Sequence, residues 1–239
     1  MPMRKLLFIF LVQIICTCLC AQHFEGVLKI DYTEESGKKN AVDVYAKGDK
    51  FFIKKIYGGC DRYDAYIYDT GLHTLCCLSA QNPKVSLRLN IDQILQIYDD
   101  KHLKPGYKIH QVQTYTTTGA TKPIVNNMTI QKKAIEQNVK YEIWVSDLKI
   151  NYGYLIPVLR VLGFWDATED GDSAILETQV TNLHTKKVST ITATPYKIKV
   201  EDRMFVIPDQ YQQVDMDKFL ANENKSPRFG DLVKAFAGF

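Results

Sequence analysis

Residues with catalytic side chains occur along this chain without the spacing that catalysis needs. Ser146 follows Trp144 and Val145 in an alternating segment, and no Gly-x-Ser-x-Gly turn surrounds it. The histidines include no pair two or four residues apart that would hold a metal ion. Gly58 and Gly59 form a glycine pair that lacks the rest of a phosphate-binding loop. We therefore predict that the chain is not an enzyme and takes no cofactor.

An acidic stretch around one glycine comes closest to a metal site. Asp166, Glu169, Asp170 and Asp172 lie near Gly171. Calcium sites place several oxygens around a tight turn, but this spacing differs from an EF-hand and no glutamate closes the loop. A turn between an apolar helix and the next strand explains the stretch better, so we predict no metal site.

Three cysteines, Cys60, Cys76 and Cys77, follow the N-terminal segment. Because Cys76 and Cys77 are adjacent, they would point to opposite faces of a strand, and at most one of them faces Cys60. One disulfide to Cys60 is one alternative in an oxidising compartment, and three packed thiols are the other.

The N-terminal segment predicts export. Arg4 and Lys5 precede an apolar run over residues 6–19, and small residues follow up to Ala21. This is the layout of a secretory signal peptide, and the apolar run is shorter than the ~20 residues that cross a bilayer. We predict a signal peptide over residues 1–21 and a mature chain, residues 22–239, in the periplasm or at the outer membrane, with the extracellular space as the alternative.

Lipid attachment is the alternative to soluble secretion. Cys16, Cys18 and Cys20 all lie near the expected cleavage point. A lipid-attachment site prefers small residues directly before the cysteine, and the bulky Leu19 precedes Cys20. Cleavage after Ala21 is therefore our first expectation, and a lipidated mature chain is the second.

The charge balance argues against a nucleic-acid partner. The chain has 30 Lys and Arg against 27 Asp and Glu, and removal of Arg4 and Lys5 leaves 28 against 27, a net charge of +1. A nucleic-acid surface needs positive charge clustered on one face, whereas the lysines here occur in isolated pairs such as Lys132-Lys133. We expect no nucleic-acid partner and no membrane span in the mature chain.

Alternation of apolar and polar residues dominates the mature chain. Leu28, Ile30 and Tyr32, for example, alternate with polar residues, which is typical of a strand with one buried face. Strand-like segments cover residues 24–33, 40–47, 50–57, 63–69, 72–79, 83–89, 107–117, 127–135, 139–146, 173–183, 187–194 and 196–201. Turn residues separate many of them, so we predict one mainly β domain (α+β) with a large antiparallel sheet of about 11 strands.

A few segments have helical periodicity: residues 91–101, 155–164, 216–221 and 226–237. Residues 152–165 carry a single charge, Arg160, so this segment should be buried on all sides. Because a sheet of this size must cover its apolar face, we predict a curved sheet, a half-barrel, wrapped around these helices. Residues 22–239 would form a single domain with residues 215–239 as a helical tail.

Tyrosine and phenylalanine are frequent, with 14 Tyr and 11 Phe spread over many of the predicted strands. Aromatic and aliphatic side chains line the pockets that hold small hydrophobic ligands. The residues that we predict to line such a hollow are Tyr66, Tyr68, Tyr141, Tyr154, Leu155, Leu159, Leu162, Phe164 and Trp165. The alternative is that these side chains pack the core.

Five short motifs, distributed over most of the mature chain, occur in order. They are Phe24-Glu25-Gly26, residues 45–50 (YAKGDK), residues 67–69 (IYD), residues 141–145 (YEIWV) and residues 205–209 (FVIPD). Together they resemble exported Gram-negative envelope domains of uncharacterised function, whose architecture is similar to that of the lipoprotein carrier LolA and the receptor LolB. The resemblance covers residues 23–213. It implies a LolA-like half-barrel, closed by helices over an apolar hollow that holds acyl chains in LolA-like members.

Two functions follow as expectations. The first is an exported binding protein that holds a lipid or an acylated protein on the concave face of the half-barrel, with the helix at residues 152–165 as a gate. The second is an interaction or structural module with a filled core, which binds an envelope protein through a strand edge or the tail. A hydrolase with dispersed carboxylates, such as Asp31 with Glu35, is the weakest hypothesis, because nothing in the sequence singles out such a pair.

Overall fold

The computed structural model describes residues 24–58, 63–79, 84–92, 114–136, 138–150, 152–168, 170–171 and 173–215. The strands are β1 (Glu25–Thr33), β2 (Lys39–Lys47), β3 (Lys50–Tyr57), β4 (Tyr63–Asp69), β5 (Thr74–Ser79), β6 (Val85–Asn90), β7 (Thr116–Ile124), β8 (Asn127–Glu136), β9 (Val139–Lys149), β10 (Ser173–Asn182), β11 (Val188–Lys197) and β12 (Gln212–Asp215). Helix α1 (Tyr152–Val161) connects β9 to β10, and a 3-10 turn (Asp202–Phe205) precedes β12.

Within the described residues, twelve strands form one sheet, in the order β12-β6-β5-β4-β3-β2-β1-β11-β10-β9-β8-β7. Neighbouring strands are antiparallel, except that β12 runs parallel to β6. Because β12 and β7 are the two ends of this order, the sheet is open. The prediction of a mainly β protein with a large antiparallel sheet is confirmed.

Most strand boundaries differ from the prediction by one to three residues, the short strand β12 was not predicted, and the largest differences concern β11 and β7. The segments predicted at 187–194 and 196–201 are one strand, β11, because Tyr196 continues the ladder opposite Val27 of β1. The strand predicted at 107–117 extends to Ile124 as β7, and its residues before 114 lie outside the described part. Gly119, with φ +80, lies within a register shift of β7, and Pro123 is tolerated because β7 is an edge strand.

Helix α1 begins three residues earlier than predicted, so Pro157 lies inside the helix and not in its first turn. The C-terminus of α1 is a Schellman motif, in which Gly163 adopts φ +88. The Gly163 amide donates to the Arg160 carbonyl at 2.9 Å, and the Phe164 amide donates to the Leu159 carbonyl at 2.9 Å. A residue with a side chain would be strained at this φ, so glycine ends the helix here.

The core lies on one face of the sheet, which we call the inner face. It carries Leu28, Ile30 and Tyr32 of β1, and all three are buried in one cluster with α1. Leu155 and Leu159 of α1 are fully buried in the same cluster, whereas Tyr154 is 50% exposed, so the helix is buried on most of its surface but not on all sides as predicted.

The opposite face of the sheet, which we call the outer face, has a smaller apolar cluster. Ile67, Cys76 and Leu78 are buried there, and Ile207 and Tyr211 pack against them. The chain between β11 and β12 therefore covers part of the outer face, where it also places β12 beside β6. The adjacent cysteines lie on opposite faces, as the sequence predicts, because Cys77 belongs to the inner cluster.

Several predictions concern segments outside the described residues. These are the signal peptide at residues 1–21, the residue Cys60 and nearly all of the C-terminal tail. Of the helix predicted at 91–101, only Ile91 and Asp92 are described, and both have helical backbone. In the described part of the chain, no helix combines the length and apolarity needed to cross a membrane.

Candidate functional site

The structure places most of the predicted lining residues in the core. The buried ones are Tyr66, Tyr68, Leu155, Leu159, Leu162, Phe164 and Trp165, all in the inner cluster. Tyr141 is half-buried on β9, and Tyr154 is exposed on α1. The fold thus brings the buried residues together, but they contact one another and the sheet.

Aromatic rings stack within this cluster. The Phe164 ring lies 5.5 Å from the Tyr32 ring, centroid to centroid, and Phe51 lies 6.2 Å from Tyr68. Burial, followed by the carboxylates of Asp92 and Asp69, raises the pKa of Tyr68 to about 12. These side chains are therefore packed core residues in this conformation.

A small pocket lies between the C-terminal end of α1 and strands β2 to β4. It is lined by Asn40, Val42, Lys55, Tyr57, Gly58, Tyr66, Leu162 and Phe164. Its volume is ≈ 10 Å³, enough for about one water molecule. Pockets for small molecules usually have about 300–1,000 Å³, so this one is too small for an acyl chain.

The loop after α1, described at residues 162–168 and 170–171, crosses the inner face, and we call it the crossing loop. Asn40 on β2 donates its Nδ2 to the Gly163 carbonyl at 3.3 Å. On β1, the Tyr32 hydroxyl donates to Oδ2 of Asp166 at 2.6 Å. Burial, then the Asp166 carboxylate, raises the pKa of Tyr32, so this hydroxyl keeps its proton.

The far end of the crossing loop reaches β8. Lys132 Nζ lies 2.5 Å from Asp170 Oδ2, and both side chains are mostly buried. Thr168 of the loop is held as well, because the Tyr115 hydroxyl, one residue before β7, lies 2.8 Å from the Thr168 hydroxyl. Directly opposed residues form one row beneath the loop: Asn40, Tyr32, Ile191, Thr178, Ile143 and Lys132.

These contacts account for Asp166 and Asp170, the two described carboxylates of the acidic stretch. The carboxylates of Asp166 and Asp170 bind a tyrosine and a lysine, whose protons satisfy them without a metal. Among the described residues, no three His, Cys, Asp or Glu side chains group as metal ligands, and Glu169 and Asp172 lie outside that set. The described carboxylates of this stretch therefore tether the loop that connects α1 to β10.

Strand β8 exposes apolar side chains on the inner face. Ile130 lies opposite Val145 of the inner cluster, yet Ile130 is 45% exposed. Met128, two residues away on the same face, is 62% exposed. Lys132, two residues further, shares this face because it lies opposite the buried Ile143. We call Met128, Ile130 and Lys132 the β8 strip.

The neighbouring residues of β8 face the other way. Lys133 lies opposite Glu142, and its Nζ is 3.0 Å from Glu142 Oε1. Lys140 Nζ contacts Glu142 Oε2 at 2.7 Å, so this carboxylate has two cationic partners, which hold its pKa below the usual range against the effect of burial. The adjacent lysines of β8 are thus in separate ion pairs on opposite faces.

The β8 strip was not predicted from the sequence. Lys132-Lys133 was interpreted as one isolated lysine pair, and residues 127–135 were predicted as a strand only. The available signal was the two-residue spacing of Met128, Ile130 and Lys132, which predicts one shared face. Which face carries the core followed only from the pairing with β9.

The fold defines a mainly β protein built on one open twelve-stranded sheet. No protein-family model matches the chain, and no curated protein matches it. One similar solved structure is that of PNGF-II, with a TM-score of 0.42 and 16% identity over 84% of this chain. The match covers 33% of PNGF-II, so this chain spans about a third of that protein's length.

An uncharacterised conserved protein from Thermus thermophilus is also similar in structure. Its TM-score is 0.44 and its identity is 8%, over 80% of this chain and 91% of that one. Because the TM-scores are below 0.5, neither structure carries an argument about fold family or function. Neither one points to LolA or LolB.

Proposed function

We propose that this chain is a non-enzymatic exported envelope protein that binds an apolar ligand, a lipid or the acyl chain of an acylated protein, on the inner face of its sheet. The observation that carries the proposal is the exposure of Met128 and Ile130 on the face that elsewhere carries the core. An acyl chain laid on this surface would gain about 0.8 kcal/mol for each methylene that leaves water.

Helix α1 would limit the size of the ligand. It packs on the inner face, with Leu155 and Leu159 fully buried in the inner cluster. A ligand confined to the strip would leave α1 in place, whereas a larger one would displace it. We propose a LolA-like half-barrel in which α1 is the gate that a large ligand displaces.

Native mass spectrometry on residues 22–239, purified from a bacterial periplasm without detergent, tests the proposal. We expect heterogeneous added mass that disappears on extraction with organic solvent. Ile130→Asp should abolish it, because a carboxylate would then lie along the acyl chain. Ile135→Asp is the matched control, since Ile135 is 69% exposed on the outer face of the same strand.

A clean apo mass, with no uptake of added fatty acid or phospholipid, would contradict the carrier proposal. Retention of the ligand by Ile130→Asp would place it elsewhere on the protein. The control variant separates either result from a general effect of an added charge on β8.

The second candidate is an interaction module with a filled core. It is favoured by the burial of most predicted lining residues and by the pocket of ≈ 10 Å³. An envelope protein would then bind at an open edge of the sheet, such as β7, whose side chains are mostly exposed. The same mass spectra decide between the candidates, because an interaction module with a filled core should carry no bound apolar ligand.

A further inference from the structure

We infer that the ligand of the inner face is an anionic amphiphile, whose carboxylate or phosphate head binds Lys132 while its apolar chain lies on Ile130 and Met128. This inference rests on the proposed function and specifies its ligand class. It starts from the order of side chains along one face of β8, which is apolar, apolar and cationic.

The geometry of the β8 strip suits such a molecule. Alternate residues of a strand are about 6.7 Å apart, so the strip extends about 13 Å from Met128 to Lys132. Ile130 and Met128 are exposed, whereas the Lys132 side chain retains 27% of its exposure. A chain on the strip would therefore lie on open apolar surface and end at a partly desolvated cation.

The Asp170 carboxylate shows which chemistry this cation accepts. It lies 2.5 Å from Lys132 Nζ and is itself 17% exposed. Because a partly buried ammonium group needs a partner, a neutral ligand would leave Asp170 where it is. An anionic ligand would replace one anion by another, and Asp170 on the crossing loop would return to solvent.

Asp170 thus occupies the head-group position in the empty protein. The loop that carries it also carries Asp166, which accepts the Tyr32 hydroxyl on β1. Displacement of Asp170 therefore releases only the end of the crossing loop near β8, while Asp166 keeps the rest of the loop bound to β1. The head group competes with one ion pair and leaves the core contacts of α1 unchanged.

Isothermal titration of the mature chain with dodecanoate, dodecyl phosphate and dodecanol tests the inference. We expect both anionic amphiphiles to bind about tenfold more tightly than the alcohol, since they make a charge-assisted contact. Acetate and inorganic phosphate, which lack the chain, should bind far more weakly. Comparison of dodecanoate with dodecyl phosphate shows which head group is preferred.

Lys132→Met should remove the preference for anionic over neutral amphiphiles. Lys133→Met is the matched control, because Lys133 pairs with Glu142 on the outer face, and it should keep the preference. Since Lys132→Met leaves Asp170 without its partner, the double variant Lys132→Met/Asp170→Asn repeats the test with neither charge present. Asp170→Asn alone should tighten dodecanoate binding, because it removes the competing anion.

Equal affinity of the wild-type protein for dodecanoate and dodecanol would overturn the inference and leave the proposed function intact. An unchanged preference in both Lys132 variants would do the same. If inorganic phosphate binds as tightly as dodecyl phosphate, the apolar chain contributes nothing. The site would then be a simple anion site, and the inference of an amphiphilic ligand would be wrong. Failure of all three amphiphiles to bind would overturn the proposed function together with the inference.

Discussion

Gly26 gives a physical reason for the first motif of the sequence, Phe24-Glu25-Gly26. A Cβ atom at Gly26 would lie 2.2 Å from the Tyr196 carbonyl oxygen and 2.7 Å from Cζ of Phe24. We expect Gly26→Ala to destabilise the protein by about 1–3 kcal/mol, because the backbone of β11 has to move. Gly71→Ala is the control, since its Cβ would approach Asp69 Oδ1 only to 3.4 Å. Urea denaturation measures the stability of both variants. Equal midpoints would show that the backbone of β11 moves to accommodate the new Cβ atom without a measurable cost.

Tyr68 should make stability depend on pH in the alkaline range. Its pKa is raised from 10.0 to about 12, mainly by burial. Above pH 10 the unfolded chain releases this proton while the folded protein keeps it, so stability falls as pH rises from 10 to about 12. Burial also raises the pKa of Tyr32 and Tyr115 and adds to the effect.

Denaturation of Tyr68→Phe at pH 9 and pH 11 isolates the contribution of this residue. We expect the variant to lose less stability between these two pH values than the wild type, by up to about 1.4 kcal/mol per pH unit. An identical pH dependence would mean that Tyr68 titrates normally in the folded protein. The measurement at pH 9 also gives the cost of removing the hydroxyl itself.

At the residue scale, burial was easier to predict than exposure. The aromatic and leucine residues proposed for a hollow are apolar, and most of them are indeed inside. Composition does not distinguish a lining residue from a packed one, because both are apolar and only the neighbouring elements decide. Lys132 shows the opposite error, because it was expected to be solvated and is mostly buried. Its burial depends on Asp170, a partner 38 positions along the chain.

At the element scale, the segment between β11 and β12 combines a buried apolar residue with an exposed ion pair. Val200 is buried, whereas Asp202 pairs with Lys47 at 2.8 Å in an exposed position. We expect Val200→Ala to cost about 2 kcal/mol and Asp202→Ala to cause no measurable loss, since exposed ion pairs contribute little. Thermal unfolding of both variants checks this. A larger loss of stability for Asp202→Ala than for Val200→Ala would show that the ion pair contributes more than the buried valine.

Element type was predictable where the pattern was long and periodic, and boundaries were not. Helix α1 was expected because one charge in an apolar segment indicates burial, but Pro157 suggested a start that the structure does not have. The predicted end at residue 164 was also wrong, because the Schellman motif at Gly163 ends the helix at Val161. Strand β12 has four residues, too few for alternation to be visible, and its parallel pairing depends on β6.

At the scale of the whole molecule, the sheet order could not be read from the pattern. Alternation fixes which residues share a face within one strand, but not which strand lies beside it. β1 pairs with β2 through a short turn and with β11, whose partners lie more than a hundred residues further along the chain. The crossing loop depends on similarly distant contacts, with 134 positions between Tyr32 and Asp166.

The sheet order predicts how local stability is distributed. β1 is paired on both sides and most of its inner residues are fully buried, whereas β7 is an end strand with mostly exposed side chains. Because opening of a strand costs the contacts that it makes, native-state hydrogen exchange should be slowest in β1, β2 and β11. It should be fastest in β7 and β12, the two ends of the sheet.

Exchange measured by mass spectrometry on peptic fragments tests this gradient and links it to function. Bound dodecanoate should slow exchange in β8 and β7, which lie at the β8 strip, and leave β12 at the other end of the sheet unchanged. Protection that spreads equally to both ends would mean that the ligand acts on the whole sheet through α1. In that case the ligand would lie in the core and not on the β8 strip, because the inner cluster extends across the sheet from Leu87 of β6 to Ile143 of β9.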